Sequence, residues 1–492
     1  MPIECFILCI SRILLIKGEK MDSLANKENI FGTESVWRLL VKFSIPSIIS
    51  MLVNSIYNLV DQIFLGQGVG YLANAATNTS FPFTVLMLAF SLLFAVGTAA
   101  NVSLNLGRKN QELAERCVSV GFMLSLICGL IILAVGEAFL VPLLNLFGTT
   151  ENVLPYAIEY SRVTLLGAPL ISLGIMVNDL HRADGSPRLA MICMIIGAVT
   201  NVILDAVFIF VFSWGVRGAA IATVIGQVAS LALGLSRINK LRLFRFRFEY
   251  MRFDWPVIKR IVSIGISSFI TQVAMMISAI VMNNVSTKYG AISKYGSDIP
   301  LTCFGIIMKL VHIMTSFVIG IGIATQPVFG YNYGAEKYDR VKKMLYAAMG
   351  VTTAVGVAGF MIFQLFPGQL ISIFGQESEL YNEFAVIALR YITMGVFLVS
   401  AQGVSMVLYQ AIGKPILSIV LSLSRQIIFL IPSILVLPVF FGISGVMFAY
   451  PVAEVLSFML AVILLRVEVR KLNKLILRDS KPLVPETTLD NI

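Results

Sequence analysis

Ala183-Asp184-Gly185-Ser186-Pro187 comes back as Ala411-Ile412-Gly413-Lys414-Pro415, 228 residues later. The echo extends both ways. Upstream, Thr98, Asn105 and Gly107 recur as Thr325, Asn332 and Gly334, and Phe147-Gly148 recurs as Phe374-Gly375. Downstream, Gly215 and Gly218 recur as Gly442 and Gly445. The offset holds at 227 or 228 along the length, so the chain is two copies of one unit.

Hydrophobic residues make up 58% and charged residues 13%. An average soluble domain carries about 25% charge. Apolar runs of about 20 residues recur, each long enough to cross a ~30 Å hydrocarbon core. Twelve spans are expected: 38–65, 79–104, 117–141, 154–178, 188–212 and 218–238, then 259–287, 300–325, 342–366, 382–407, 415–439 and 443–467. The predicted fold is an all-α membrane protein with two six-helix lobes, 38–238 and 259–468. Six is even, so both halves enter the membrane from one side and are related by a pseudo-two-fold axis along its normal. A duplicated half in so apolar a chain points to a transporter whose substrate path runs between the lobes.

The 37 Lys and Arg sort by loop. Arg217, Lys288 and Lys294 lie in odd-numbered loops, and Arg162, Lys309, Arg390 and Arg425 lie within spans. The other 30 lie at the termini and in even-numbered loops. Both termini are therefore expected in the cytoplasm, with the chain in a cell membrane, bacterial by its type. The +10 net charge follows from this topology and calls for no nucleic acid. A basic linker, 239–258, joins the lobes; Phe244, Phe246, Phe248, Tyr250 and Phe253 interleave with its charges, which suits anionic lipid headgroups. Segment 1–37 precedes the first span. Its first 20 residues lack the positive flank and cleavage site of a signal peptide, and Met21 is the expected natural start. The polar tail 469–492 is expected without structure. Six scattered cysteines show no metal spacing and read as reduced packing residues. A monomer is expected.

Acids inside spans carry the chemistry. An Asp at a helix centre costs ~2.5–3.5 kcal/mol on insertion scales, so it persists where it has a role. Asp61 follows Asn54 and Asn58 at i, i+4, i+7 spacing, a polar stripe on one face of the first span. Asp205 follows Asn201 by one turn on the fifth. A buried carboxylate needs a proton or a cation to balance it, and amide and hydroxyl oxygens nearby complete a site for Na⁺. The second half offers other polar residues: Gln272, Lys309, His312, Arg425, Gln426 and Glu454. Lys309 and His312 are one turn apart, and Arg425 and Glu454 are placed to pair. Glu137, Glu159, Asp179 and Glu383 lie near span ends and read as interfacial. By the repeat, Asp61 falls opposite Met282 and Asp205 opposite Pro432 or Ser433. The scaffold is duplicated, and the acidic site is not.

At these residues the chain resembles the MATE (multidrug and toxic compound extrusion) family over about residues 30–470. The marks are Phe43-Ser44-Ile45-Pro46, Asn58-Leu59-Val60-Asp61 with Phe64-Leu65-Gly66, and Asn105-Leu106-Gly107. Then come Arg182-Ala183-Asp184-Gly185-Ser186-Pro187, Asn201-Val202-Ile203-Leu204-Asp205 and Gly218-Ala219-Ala220-Ile221-Ala222-Thr223. The resemblance implies an antiporter with no cofactor, in which entry of H⁺ or Na⁺ drives export of cationic amphiphilic drugs or dyes. It implies cation ligands at Asp61, Asn201, Asp205 and Thr223. A branch using acids of the seventh and tenth spans is not matched, because 259–287 holds no acid and the tenth span has Glu383 only at its edge. Pro46, Pro82, Pro169 and Pro327 mark where helices can bend during rocker-switch alternating access.

A flippase for lipid-linked precursors is the nearest rival; it would use a cationic cavity for pyrophosphate, to which Lys309 and Arg425 are suited and the acids are not. An enzyme has less support. The sequence lacks HExxH, GxSxG and Walker motifs. An intramembrane aspartyl hydrolase needs two Asp in contact, which Asp61 and Asp205 on different spans would meet only by accident.

Overall fold

The computed structural model describes residues 29–146, 149–373 and 378–479. Phe147-Gly148, Phe374-Gly375, residues 1–20 with Met21, and the tail from 480 lie outside the described residues. Among the described residues all regular structure is helical. Eleven helices are long and apolar enough to cross a membrane, and a bent pair supplies the twelfth span. Spans 1 to 3 are Val36–Gly68, Tyr71–Gly107 and Gln111–Ala138. Span 4 is the pair Leu154–Leu166 and Ala168–Ala183; spans 5 and 6 run Pro187–Val211 and Gly215–Ser236. Spans 7 to 12 are Trp255–Ala291, Asp298–Gly334, Tyr338–Leu365, Glu379–Ala411, Pro415–Phe441 and Ile443–Asp479.

Several helices outrun their apolar stretches, and polar side chains cap the starts of spans 1, 3, 7 and 10. Asn110 caps span 3 by accepting from the Leu113 amide at 3.0 Å, six residues before the expected start. Asp254 caps span 7, so the helix takes up the last four residues of the expected linker 239–258. Span 12 runs through the expected unstructured tail as far as Asp479. Its polar extension is held from the side: Lys414 pairs with buried Glu468 at 2.5 Å, and Lys342 donates to Asn473 at 2.9 Å. Span 4 bends by 49° at Gly167, just before Pro169, whereas Pro46, Pro82 and Pro327 sit inside unbroken helices. Spans 5 and 11 each contain a π-helical turn, at Val207–Val211 and Ser424–Leu430.

The linker, expected to lie on anionic headgroups, also makes specific contacts with the bundle. Asp184 Oδ1 accepts from the amides of Arg242 (2.6 Å) and Leu243 (2.8 Å). Arg247 pairs with buried Glu115 at 2.7 Å, and its amide donates to Ser119. Phe244 is fully buried, and Phe246 packs edge-on against Phe122. The linker is folded onto span 3 and the span 4–5 loop. These partners lie over 50 residues away in sequence, where local composition gives no sign of them.

The lobes meet as the repeat demands. A methyl group on Gly107 would strike the carbonyl of Tyr331, and one on Gly334 would strike the carbonyl of Leu104. Gly107 and Gly334 are repeat equivalents, and so are Leu104 and Tyr331. Each contact is the other's mirror under a two-fold operation, so the pseudo-axis passes between these glycines. Nearby, Gly97 lies on the backbone of Ile261 and Gly265 on that of Leu93. All these approaches sit in the half of the bundle that holds the linker, here the linker end.

Span 1 belongs to both lobes. Its first turns and the short helix Ile30–Thr33 bury Phe31, Leu39, Leu40 and Phe43 among Val341, Leu345 and Leu408 of the second lobe. Three side chains from the span 8–9 corner satisfy the carbonyls there: Asn332 and Arg340 donate to Phe31, Lys337 to Gly32 and Arg340 to Glu34. The N-terminal segment 1–37 is thus tied to the second lobe from residue 29 on.

Two predictions follow from this packing. Gly107→Ala should destabilise by ~1–3 kcal/mol through overpacking. Gly350→Ala, facing open space within span 9, should be neutral or stabilising. Opposite shifts of the melting midpoint in detergent test the pair. Burial lifts the Asp184 carboxyl from 3.8 to about 6, although the Leu243 and Arg242 amides pull it down. The folded state then binds a proton that the unfolded state releases. Linker docking is therefore strongest below about pH 4 and weakens as pH rises through about 6. Protease protection of 237–254 should fall across that window, and Asp184→Asn, which keeps the acceptor but cannot ionise, should flatten the response.

Candidate functional site

Asp61 and Asp205 come together inside the first lobe. Asp61 is two turns from the end of span 1; Asp205 is the last residue but one of the α-helical part of span 5, just before its π turn. The two carboxyl groups are close enough for Asp205 to feel the charge of Asp61. Asp205 is fully buried and Asn201 is 2% exposed. Asn201 donates from Nδ2 to Thr223 Oγ1 on span 6 at 3.2 Å. The four residues matched through the family resemblance therefore form one group on spans 1, 5 and 6.

The group is short of positive charge. Asp61 Oδ1, both oxygens of Asp205 and Asn201 Oδ1 are buried without a hydrogen-bond donor. Unsatisfied carboxylate oxygens in a dry site are costly, and two carboxylates in contact cannot both stay bare. Hard oxygen ligands of this type suit a proton or Na⁺. A cavity of about 20 Å³, bounded by Tyr57, Gly197, Asn201, Thr223 and Gln227 among others, lies against the group. That is room for one water-sized particle. Spans 5 and 6 close it by direct backbone approach at Gly197 and Gly226.

Two tyrosines escaped the sequence reading. Tyr57 and Tyr160 lie close enough to the acid pair to feel its charge. Tyr57 was legible, one turn before Asp61 on the same face. Tyr160 sits on span 4, and nothing in its neighbourhood marked it. The polar stripe is only partly realised. Asn58 is exposed and bonds back to Asn54 at 2.7 Å, so neither amide reaches Asp205.

The second-lobe residues do not assemble into a site. Arg425 and Glu454 pair at 3.7 Å, as their spacing suggested, with Glu454 buried. Lys309 faces the other lobe and donates to Gln62 at 3.0 Å. The backbone carbonyl of His312 accepts from Ser316, while its ring is exposed. Gln272 is half-buried on span 7, and Gln426 contributes its carbonyl to Ser278. Asp179, expected at the interface, is buried and ion-paired with Arg182 on the same turn of span 4. Their i, i+3 spacing was the overlooked signal. With Ser103 and Gln326 they line a second small cavity between the lobes. Among the described residues no cluster of three or more His, Cys, Asp or Glu is placed to hold a metal.

A family model described as MatE matches residues 46–207 and 264–436, one stretch in each copy of the repeat. The chain belongs to the MatE family. It is a transporter and not an enzyme. Among MatE relatives, the multidrug export protein MepA of Staphylococcus saprophyticus is 27% identical over 443 residues, 89% of this chain and 95% of that protein. A probable multidrug resistance protein, YoeA of Bacillus subtilis, is 24% identical over 354 residues, 70% of this chain and 75% of that one. A solved multidrug resistance MATE transporter in an outward-facing conformation superposes with a TM-score of 0.85 at 22% identity, covering 92% of this chain and 99% of that one. Its likeness places the twelve spans in a MATE fold.

Proposed function

We propose that this MatE protein exports cationic amphiphilic compounds in exchange for H⁺ or Na⁺, with the cation held by Asp61 and Asp205. The observation that carries the reading is the set of four buried, donor-less oxygens on spans 1 and 5. A proton makes the smaller demand, since one proton shared between the carboxyls satisfies both. Na⁺ would also call on Asn201 Oδ1 and Thr223 Oγ1. The multidrug names of the MepA and YoeA relatives support the cargo class. The protein would work in a bacterial cell membrane with both termini in the cytoplasm.

The mechanism follows from span 1. Its start is anchored in the second lobe and its acid lies in the first. A cation bridging Asp61 to Asp205 draws that end of span 1 toward span 5 and narrows the first-lobe cavity. Cargo leaves as the cavity narrows, and the lobes rock about their glycine contacts. The flippase alternative is weakened here: of the two cations that suit pyrophosphate, Arg425 is paired with Glu454 at 3.7 Å, which leaves Lys309 alone.

Asp61→Asn and Asp205→Asn should each lower ethidium efflux from cells at least about tenfold, as loss of an essential coupling group does, at unchanged membrane expression. Undiminished efflux by both variants would contradict the assignment.

A further inference from the structure

Spans 1 and 8 meet at the lobe boundary and splay toward the end away from the linker. Gly320 lies directly on the backbone of Ile48. About one turn further out, Ser316 Oγ and Ser55 Oγ are 3.0 Å apart, a contact between two short side chains. At the next rung the gap takes two long ones: Lys309 Nζ donates to Gln62 Oε1 at 3.0 Å. Span 2 has parted from span 8 as well. Near the linker end, Gly330 of span 8 packs on Ser103 of span 2. His312 precedes Gly330 by eighteen residues, about five turns, so it projects to the same side of span 8. Yet His312 is exposed. The turns of span 8 around Lys309 and His312 therefore line a cleft between the lobes and not the lipid.

Lys309 is exposed in that cleft, well inside its span. Among the described residues it forms no ion pair. A charge this deep in a span calls for a partner. One hydrogen of its ammonium goes to Gln62, which leaves two more to donate. Gln62 accepts through Oε1, so the other arm of its amide, Nε2, is a donor as well. The pair thus presents an ammonium from the second lobe and an amide N–H from the first, side by side, to whatever enters the cleft. Two adjacent donors, one of them charged, match the two oxygens of a carboxylate. We propose that Lys309 and Gln62 form a cargo subsite for a carboxylate, which extends the cargo to amphiphiles that carry an acid beside their amine. The inference rests on the exporter reading above. A single ammonium suits one carboxylate and falls short of a pyrophosphate. Because the donors come from opposite lobes, a carboxylate held by both bridges the cleft.

Two dyes that differ only at this group test it: tetramethylrhodamine, with a free carboxylate, and its methyl ester. Binding of each to the purified full chain in a neutral detergent is read by fluorescence anisotropy. Lys309→Gln keeps a donor for Gln62 and removes the charge. It should raise the Kd of the free acid about tenfold relative to that of the ester, as loss of a charged hydrogen bond does. Lys309→Arg should keep the wild-type ratio. Gln62→Ala should shift the ratio about threefold in the same direction as Lys309→Gln, as loss of a neutral hydrogen bond does. An unchanged ratio in Lys309→Gln, with both dyes weakened equally or neither weakened, overturns the subsite. Should Lys309→Gln not fold, Gln62→Ala decides, and an unchanged ratio there overturns it. Ethidium efflux from proteoliposomes under an inward H⁺ or Na⁺ gradient separates this inference from the reading beneath it. A wild-type protein that moves no ethidium under either gradient overturns the exporter reading. A wild type that exchanges ethidium, with an acid-to-ester ratio indifferent to Lys309, overturns the subsite alone.

Discussion

At Gly107 and Gly334 the backbones of spans 2 and 8 lie against each other with no side chain between them. The contact is reciprocal, residue for repeat-equivalent residue, so it fixes the axis that relates the lobes. The same end of the bundle carries the Gly97–Ile261 and Gly265–Leu93 approaches and the folded linker. Close-packed backbones leave little freedom to slide, because interiors at this density do not deform continuously. What remains is rotation of one lobe against the other about the glycine contacts. The proposed alternating access would use that motion.

Symmetry of the scaffold makes asymmetry of the chemistry easy to locate. Asp61 and Asp205 form one dry acidic group in the first lobe, and their repeat equivalents are Met282 and Pro432 or Ser433. The second lobe places its buried acid elsewhere, at Glu454, and neutralises it internally with Arg425. On the proposed reading, an outside cation meets the charge requirement of the first lobe, whereas the second has a cation of its own at 3.7 Å from its acid. Span 1 joins the two, with its start held by Asn332, Lys337 and Arg340 and its acid against span 5. A change of charge at Asp61 thus acts directly on a helix that both lobes share.

Much of this was legible in residues whose signal is local. The repeat gave the axis, the apolar runs gave the spans, and mid-span Asp61 and Asp205 pointed to the candidate site. The misses have physical causes. Helix ends at Gln111, Trp255 and Asp479 depend on caps and side-on ion pairs, which hydropathy does not register. The linker's docking on the bundle was not legible because its partners, Asp184 and Glu115, are distant in sequence. Tyr160 joins the site through the bend of span 4, a tertiary fact. Lys309 was noticed as an intramembrane charge, but its direction, toward Gln62 of the other lobe, depends on how spans 1 and 8 cross.

The central claim is that an inward cation gradient, acting on the first-lobe acid pair, drives export. Purified protein in sealed vesicles, with pH and Na⁺ gradients imposed separately at clamped voltage, tests it most directly. The account predicts that ethidium moves against its own gradient when protons, or Na⁺ in their place, run the other way, and stops when that gradient is collapsed. Ethidium movement indifferent to both gradients would contradict it.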